Sequence, residues 1–255
     1  MSTAQEVRIR GVVMGREHRA AICCSLVGTT LNELLDELKV ILPKRPDVLE
    51  WRVDFFSEIH NDQVVLDTAK KLREEIGEIV LLFTIRSYEE GGQPGSLGQT
   101  EQEQLLLKVL LDKSIDMLDI EQASAFASST ELVNVARSQQ IKLIFSTHYF
   151  THTPSANSMT NYLIAGQTAG ADLVKLAVMP KNEEDVLSLL HVTNEAASTL
   201  TVPIITIAMG KLGVSTRLVG DQFGSTMTFA VGDTASAPGQ VPVEMIRELQ
   251  NYTKA

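Results

Sequence analysis

The sequence predicts an α/β protein of the TIM-barrel class, a (β/α)₈ barrel with a short N-terminal β-hairpin. Short apolar runs alternate eight times with segments of helical pattern, which is typical of parallel strands joined by right-handed crossovers. A chain of 255 residues has the length that eight such units require. The alternative is a doubly wound open sheet, but no Gly-x-Gly-x-x-Gly motif follows the first strand to favour it.

The predicted elements follow one another without a composition break, so residues 1–255 are expected to form one barrel domain. Val7 to Met14 predicts one or two short strands before the repeating pattern. Thr29 or Thr30 is the expected N-cap of the first helix, which stops near Pro43. The barrel strands are predicted within residues 20–27, 47–54, 78–86, 115–121, 142–147, 170–180, 203–209 and 223–231. The helices are predicted within residues 30–43, 64–72, 101–113, 132–139, 157–169, 182–200, 215–219 and 241–253.

Composition excludes several classes of protein. A net charge of -10 argues against a nucleic-acid binder, because binding to phosphates needs a basic surface. No apolar run approaches the length of a transmembrane helix, and the first six residues do not have the plan of a signal peptide. Cys23 and Cys24 are adjacent and would point to opposite faces of a strand, so a disulfide between them is not expected. We therefore expect a cytoplasmic protein.

Lys175 lies in the middle of an apolar run that Gly170 and Pro180 bound. A lysine is rarely buried without a partner, because its charge is costly to desolvate. Two interpretations remain open for the residue by itself: a solvated lysine, or a nucleophilic amine that forms a Schiff base with a carbonyl group. His148 stands at the end of the preceding strand, where its imidazole could serve as general base and acid beside Lys175.

Other polar residues also fall near the C-terminal ends of the predicted strands, where barrel enzymes have their active sites. Glu50 and Arg52 share one face of the second strand, where they could bind a ligand or only neutralise each other. Arg86 ends the third strand, and Asp119 and Glu121 end the fourth as either structural partners of cations or catalytic groups. Gathered cations would suit a small anionic substrate and would help to keep a nearby lysine neutral.

Three loops complete this predicted site. A Gly-rich loop that contains Glu90 follows the third strand, and Arg217 follows the seventh strand, in a region where many barrels bind anions. The segment 232–240 after the eighth strand is small and polar, so it could close over a ligand or simply connect to the last helix.

Five motifs together resemble the type I 3-dehydroquinate dehydratase family, and the resemblance runs from the first strand to the last helix. The segments around Lys175 and at 235–240 are the most specific of the five. In chain order the motifs are Glu50-Trp51-Arg52-Val53-Asp54, Arg86-Ser87 with Glu90-Gly91-Gly92, His148, Gly170-Ala171-Asp172 before Lys175-Leu176-Ala177-Val178-Met179-Pro180, and Ala235-Ser236-Ala237-Pro238-Gly239-Gln240.

The resemblance implies an enzyme that dehydrates 3-dehydroquinate in the shikimate pathway, without a metal or an organic cofactor. It also implies a homodimer. Lys175 matches the lysine that forms an imine with the C3 ketone. His148 matches the histidine that removes the C2 proton and returns a proton to the departing C1 hydroxyl. Glu90 matches the carboxylate that orients this histidine.

The resemblance also implies a set of residues that bind the substrate. Ile207 departs from some relatives, in which methionine is expected, and this affects the shape of the pocket only. Ser25 is a weaker match for a substrate contact. The residues that match contacts to the ring hydroxyls are Glu50, Arg52 and Arg86. The residues that match contacts to the carboxylate and the lid are Arg217, Ser236 and Gln240, and those that match the apolar wall are Met209 and Phe229.

Two other functions remain as alternatives. Another Schiff-base barrel, such as a class I aldolase, would share the lysine, but the chain has no recognisable sugar-phosphate pattern. A non-catalytic relative that binds quinate or dehydroquinate would be marked by loss of the lysine or the histidine. Lys175 and His148 are both present.

Overall fold

The computed structural model describes residues 6–95 and 97–253. Its first elements are two short antiparallel strands, β1 (Val7–Ile9) and β2 (Val12–Met14), which pair with Val7 opposite Met14. Arg10 and Gly11 form the tight turn between them with φ angles of 44° and 83°. These strands form the N-terminal hairpin that the sequence predicts.

Eight parallel strands follow and form a barrel in sequence order, with β10 beside β3. The barrel closes between β9 and β10, where the backbone N–H of Thr226 donates to the carbonyl of Ile204 at 2.8 Å. This arrangement confirms the predicted (β/α)₈ class. The strands are β3 (Ala21–Leu26), β4 (Val48–Arg52), β5 (Val80–Thr84), β6 (Met117–Glu121), β7 (Lys142–Tyr149), β8 (Leu173–Val178), β9 (Ile204–Ala208) and β10 (Met227–Ala230).

One α-helix follows each barrel strand. The first helix begins where the sequence predicts. The Thr30 side chain caps it by accepting the backbone N–H of Glu33 at 3.3 Å. The helices are α1 (Leu31–Ile41), α2 (Asp62–Ile76), α3 (Gln99–Asp112), α4 (Thr130–Ser138), α5 (Ala156–Thr168), α6 (Glu183–Thr199), α7 (Val214–Val219) and α8 (Val243–Thr253).

Most strands are shorter than predicted by one to three residues at an end, whereas β10 starts four residues later and β7 ends two residues later than predicted. The predicted start of the last strand at residue 223 is wrong, because Gly220–Phe223 is a 3₁₀ turn and Gly224 has a φ of 105°. A left-handed residue turns the chain, so the strand begins only at Met227. In contrast, β7 extends two residues beyond its predicted end. His148 is therefore a strand residue, paired with Ala177 of β8.

The inward and outward residues of the strands form two separate apolar layers. Outward residues such as Trp51 pack with the helices, and Trp51 meets Phe56 and Phe83 edge-on at ring-centroid distances of 5.5 Å. Inward residues fill the lower part of the barrel, where Val7 and Met14 of the hairpin join them. The hairpin thus closes the N-terminal end, and the polar inward residues are left at the other end.

Asp116 fastens the hairpin to the barrel. Its carboxylate accepts hydrogen bonds from Arg10 Nε and Arg73 Nη1, each at 2.6 Å, and from the backbone N–H of Leu81 at 2.8 Å. One partly buried carboxylate therefore joins the hairpin, helix α2 and strand β5 at the closed end of the barrel.

Candidate active site

A cleft with about 490 Å³ of open space lies at the C-terminal end of the barrel strands. It brings together every predicted site residue except Ser25, which lies behind Glu50. The predicted residues that line the cleft are Glu50, Arg52, Arg86, Glu90, His148, Lys175, Met209, Arg217, Phe229, Ser236 and Gln240. The lining residues to which the sequence analysis assigned no place in the pocket are Gly91, Phe150, Ala177 and Ala237, and Ile207 also lines it.

Lys175 points into the barrel and is 4 % exposed. Its Nζ lies 3.3 Å from Asp119 Oδ2, 4.0 Å from Glu50 Oε1 and 4.3 Å from the centroid of the Phe229 ring. The charged atoms in contact with Nζ are carboxylate oxygens, rather than the cations that the sequence analysis expected beside it. The amine is held between two acids and the face of an aromatic ring, which attracts a cation.

Asp119 joins Lys175 to Arg86. Its Oδ1 lies 2.9 Å from Arg86 Nη2 and accepts the Ser146 hydroxyl at 2.5 Å. Burial would raise the pKa of Asp119, but the charges of Arg86 and Lys175 outweigh burial and lower it. Asp119 is therefore ionised in the centre of the site, and the sequence left its role open between structural and catalytic.

Arg86 is surrounded by acceptors. Its Nη1 donates to Ser146 Oγ at 2.9 Å and lies 3.2 Å from Glu121 Oε1. Burial would lower the pKa of Arg86, but Asp119 and Glu121 outweigh burial and raise it. The guanidinium is a permanent positive charge at the wall of the cleft.

His148 and Glu90 form a close pair. Glu90 Oε2 lies 2.9 Å from His148 Nδ1 and accepts the backbone N–H of the same residue at 3.0 Å. Burial, followed by the charges of Arg86 and Lys175, lowers the pKa of His148 well below its ordinary value. Burial, followed by the charge of Glu121, raises the pKa of Glu90 to about 8. The imidazole is therefore neutral near pH 7.

The neutral imidazole is arranged to act as a base through Nε2. Glu90 Oε2 already accepts one N–H from the backbone of His148, so it is placed as an acceptor for a second N–H at Nδ1. A proton on Nδ1 leaves the lone pair on Nε2. Phe150 lies beside the ring, with centroids 6.4 Å apart and an interplanar angle of 29°.

Glu50 begins a chain of hydrogen bonds that reaches segment 232–240 after β10, which the resemblance implies is a lid. Thr84 Oγ1 donates to Glu50 Oε1 at 3.0 Å, and Ser25 Oγ donates to Glu50 Oε2 at 2.6 Å. Ser236 Oγ donates to Ser25 Oγ at 2.9 Å, and Gln240 Nε2 donates to Ser236 Oγ at 3.0 Å. Ser25 therefore acts in this structure as the link between Glu50 and the lid.

Arg217 lies on helix α7, where it is 3 % exposed. It donates from Nη1 to the Phe229 carbonyl at 3.2 Å and from Nη2 to the Pro238 carbonyl at 3.0 Å, while its Nε has no hydrogen-bond partner. No carboxylate of residues 6–95 or 97–253 forms an ion pair with it. Burial lowers the pKa of Arg217 to about 10. A buried guanidinium with neutral neighbours is suited to bind an anion.

Arg52 is paired with Asp54, to which the sequence analysis assigned no role. Arg52 Nε lies 2.8 Å from Asp54 Oδ1, and Nη2 lies 2.9 Å from Oδ2. The guanidinium carbon also lies 5.1 Å from the centroid of the Phe55 ring. Two parallel hydrogen bonds fix the plane of the guanidinium, so its remaining N–H groups have a defined direction.

The Gly-rich loop after β5 needs its glycines for close packing. A Cβ on Gly91, whose φ is 84°, would lie 2.3 Å from Phe150 Cζ, and a Cβ on Gly92 would lie 2.0 Å from the carbonyl oxygen of Arg86. The loop can therefore fold back against β5 and β7 and carry Glu90 to His148. The Gly-Gly pair was the signal for this close approach in the sequence.

Two other kinds of feature are absent from the described residues. Residues 6–95 and 97–253 contain no group of three or more His, Cys, Asp or Glu side chains that could hold a metal ion. Across the same residues, no helix has the length and the apolar character to cross a membrane.

Fold and site together define a (β/α)₈-barrel enzyme with a buried lysine and a neutral histidine in one cleft. Comparison with known proteins gives the family. The model of type I 3-dehydroquinase matches residues 22–255. The chain is therefore an enzyme of the type I 3-dehydroquinase family.

Individual relatives agree with this assignment. The 3-dehydroquinate dehydratase of Geobacillus sp. (strain WCH70) is 42% identical over 243 residues, which are 95% of this chain and 93% of that protein. The crystal structure of 3-dehydroquinate dehydratase from Geobacillus kaustophilus HTA426 is 40% identical, with a TM-score of 0.93 over 99% of this chain and 98% of that one. The type I enzyme from Clostridium difficile, solved with covalently modified comenic acid, is 35% identical, with a TM-score of 0.92 over 98% of both chains.

Proposed function

We propose that this enzyme dehydrates 3-dehydroquinate to 3-dehydroshikimate through a Schiff base on Lys175, with His148 as general base and acid. The observation that carries the proposal is the burial of Lys175 Nζ in a cleft that His148 and the partly unpaired Arg217 also line. The relatives named 3-dehydroquinate dehydratase support the substrate. The covalently modified ligand of the Clostridium difficile enzyme supports a covalent step in the family.

The first step forms the imine. His148 Nε2 takes a proton from the Lys175 ammonium, and the free amine then adds to the C3 carbonyl carbon. The carbonyl oxygen receives one proton from the added nitrogen and one from the His148 imidazolium and leaves as water, so that a protonated imine remains between Nζ and C3. Asp119 and Glu50, whose oxygens lie 3.3 Å and 4.0 Å from Nζ, stabilise this positive charge.

The second step eliminates water. The protonated imine withdraws electrons from C2, and His148 Nε2 removes a C2 proton to give an enamine. The enamine electrons then expel the C1 hydroxyl, to which the imidazolium returns its proton, and water departs. Hydrolysis of the conjugated imine releases 3-dehydroshikimate and restores the Lys175 amine. Glu90 Oε2 accepts the Nδ1–H and holds the ring in place while the imidazolium forms transiently at His148.

The substrate is held at two ends of the cleft. We infer that Arg217 binds the carboxylate, with Ser236 and Gln240 of the lid beside it. Glu50, Arg52 and Arg86 provide donors and acceptors for the ring hydroxyls on the opposite side. The apolar wall between these ends consists of Met209 and Phe229, together with Ile207.

Borohydride trapping tests the proposal directly. Incubation of the protein with 3-dehydroquinate and borohydride is expected to reduce the imine to a stable secondary amine, which peptide mass mapping assigns to Lys175. The Lys175→Met variant should give no adduct, while Lys181→Met, which removes an exposed lysine after β8, should react as the parent does. An adduct on a lysine other than Lys175 refutes the mechanism.

Turnover separates an enzyme from a protein that only binds the substrate. Ultraviolet absorbance of the conjugated product should rise with time in the presence of the parent protein. The His148→Ala variant is expected to lower kcat by at least ~100-fold, as for the loss of an acid–base group. Turnover near that of the parent would remove His148 from its proposed role, and a class I aldolase activity would instead cleave a carbon–carbon bond.

We also infer a homodimer, as the family resemblance implies, and a cytoplasmic location, as the cysteine usage indicates. Sedimentation velocity of the purified protein tests the first inference, with a monomeric mass at micromolar concentration as the result against it. Fractionation of the source cells tests the second, since recovery of the protein outside the cytosolic fraction would contradict it.

A further inference from the structure

The carboxylate of Asp54 receives four hydrogen bonds from three parts of the chain. Oδ1 accepts from Arg52 Nε at 2.8 Å and from the backbone N–H of Arg86 at 3.2 Å. Oδ2 accepts from Arg52 Nη2 at 2.9 Å and from the backbone N–H of Gln93 at 3.3 Å. The side chain of Asp54 is fully buried, so protein donors replace water at both oxygens.

Two of these donors lie at opposite ends of the segment that carries Glu90. The segment begins at Arg86, two residues after the end of β5, and ends at Gln93. Within it, Ser87 caps the turn, because its Oγ accepts the Glu90 N–H at 3.3 Å and its carbonyl accepts the Gly92 N–H at 2.7 Å. Asp54 joins the two ends from outside, so the segment forms a closed loop with Glu90 at its tip.

The same carboxylate fixes Arg52, and Arg52 contacts the loop. Arg52 Nη2 lies 3.5 Å from the carbonyl oxygen of Gly91, the residue next to Glu90. The guanidinium and the loop are thus held against each other by one buried charge. An amide in place of the carboxylate would offer one acceptor oxygen to four donors, and its NH₂ group would face N–H groups.

We propose that Asp54 is a positioning residue of the active site, which aligns Glu90 with His148 and Arg52 with the substrate at the same time. The role deepens the proposed dehydration and depends on it for the part played by Arg52. It assigns a function to a residue that does not line the cleft and that acts only through its neighbours.

Kinetics of Asp54→Asn in three backgrounds tests both parts of the role. In the parent, the variant is expected to lower kcat and to raise KM, each by at least ~10-fold. In the Arg52→Ala background it should still lower kcat, because the Glu90 loop is released. In the Glu90→Gln background it should leave kcat within ~2-fold, because the alignment that it disturbs is already lost.

A second readout does not require turnover. In ¹⁵N NMR of protein labelled in its histidine rings, His148 of the parent is expected to be a single Nδ1–H tautomer. Asp54→Asn should give a mixture of tautomers, as Glu90→Gln does, while Arg52→Ala should leave the parent signal. If the parent fails to dehydrate 3-dehydroquinate, this comparison still tests the positioning of Glu90.

Clear results would overturn the proposal. A parent-like kcat together with a parent-like His148 tautomer in folded Asp54→Asn excludes the positioning role. If Asp54→Asn lowers kcat as much in the Glu90→Gln background as in the parent, its effect does not pass through Glu90. Asp54 then only stabilises the fold. Should Asp54→Asn fail to fold by circular dichroism and Trp51 fluorescence, Gln93→Pro removes a single donor to Asp54 and leaves Arg52 paired. That variant must then lower kcat and mix the tautomers, or the proposal fails.

Discussion

Glu90 Oε2 contacts His148 twice, at the ring Nδ1 and at the backbone N–H, with distances of 2.9 Å and 3.0 Å. The double contact fixes both the position of the residue and the rotation of its ring. It also requires a buried carboxyl group close to Glu121, which raises the pKa of Glu90. The contact therefore orients the His148 ring, and the raised pKa of Glu90 makes the stability of the folded protein depend on pH.

The free energy of unfolding should depend on pH, because the pKa of Glu90 is raised in the folded chain. The folded chain holds the Glu90 proton up to about pH 8, whereas the unfolded chain releases it near the ordinary value of 4.5. Between these values the folded state binds more protons, so this group makes the folded state less stable as pH rises. Glu90→Gln removes this titration, and its stability relative to the parent should increase by up to about 1.4 kcal/mol per pH unit from about pH 5 to 8.

Urea unfolding followed by the fluorescence of Trp51, the single tryptophan, measures this difference at several pH values. Glu89→Gln is the matched control, because Glu89 is the exposed neighbour in the same turn. A stability difference between Glu90→Gln and the parent that is flat across this range would contradict the prediction.

Arg217→Lys should separate binding from chemistry. The lysine ammonium is a single point charge and cannot form two parallel hydrogen bonds with a carboxylate as a guanidinium does. We therefore expect KM to rise at least ~10-fold and kcat to fall less. Initial rates from product absorbance give both constants. Lys211→Ala, which removes an exposed cation from the loop before α7, should change KM by less than ~2-fold. Equal effects of the two variants would indicate general attraction of the anion rather than a direct contact.

Ser25→Ala should destabilise the fold more than Ser236→Ala. Both variants lose the hydrogen bond between the two serines, whose oxygens lie 2.9 Å apart. Ser25→Ala, unlike Ser236→Ala, also removes the hydroxyl that donates to Glu50 Oε2. Loss of this hydrogen bond to a buried oxygen should cost about 1–3 kcal/mol. Urea unfolding at pH 7 measures both values, and equal destabilisation would argue against the chain from the lid to Glu50.

Asp116→Ala should loosen the closed end of the barrel. It removes the acceptor of Arg10, Arg73 and the Leu81 N–H together, and the expected loss of stability is about 1.5–3 kcal/mol, as for lost hydrogen bonds to a partly buried charged group. Arg10→Ala removes only the hairpin contact and should cost about 1 kcal/mol. Urea unfolding compares the two, and a similar small loss in both would show that Asp116 is not the anchor of the hairpin.

Much of the site was predictable because strand position is encoded locally. Lys175 and His148 stand in apolar runs whose lengths and bounding residues mark them as adjacent strands, and their polar side chains near the C-terminal ends predict a shared cleft. The last strand was predicted too early because its apolar residues begin at Phe223. Gly224, whose φ is 105°, interrupts the extended backbone there. Pattern alone does not distinguish an apolar turn from an apolar strand.

The sequence by itself determined the barrel class, the identity of the buried lysine and the gathering of its polar partners at one end of the barrel. The tertiary structure alone decided which charges touch. Asp119 on β6 meets Lys175 on β8 because the registers of both strands with β7 set their separation. Asp54, in the turn after β4, meets the backbone N–H groups of Arg86 and Gln93. Periodicity specifies the face on which a side chain lies, but an ion pair depends on separations of a few ångströms between segments far apart in the chain.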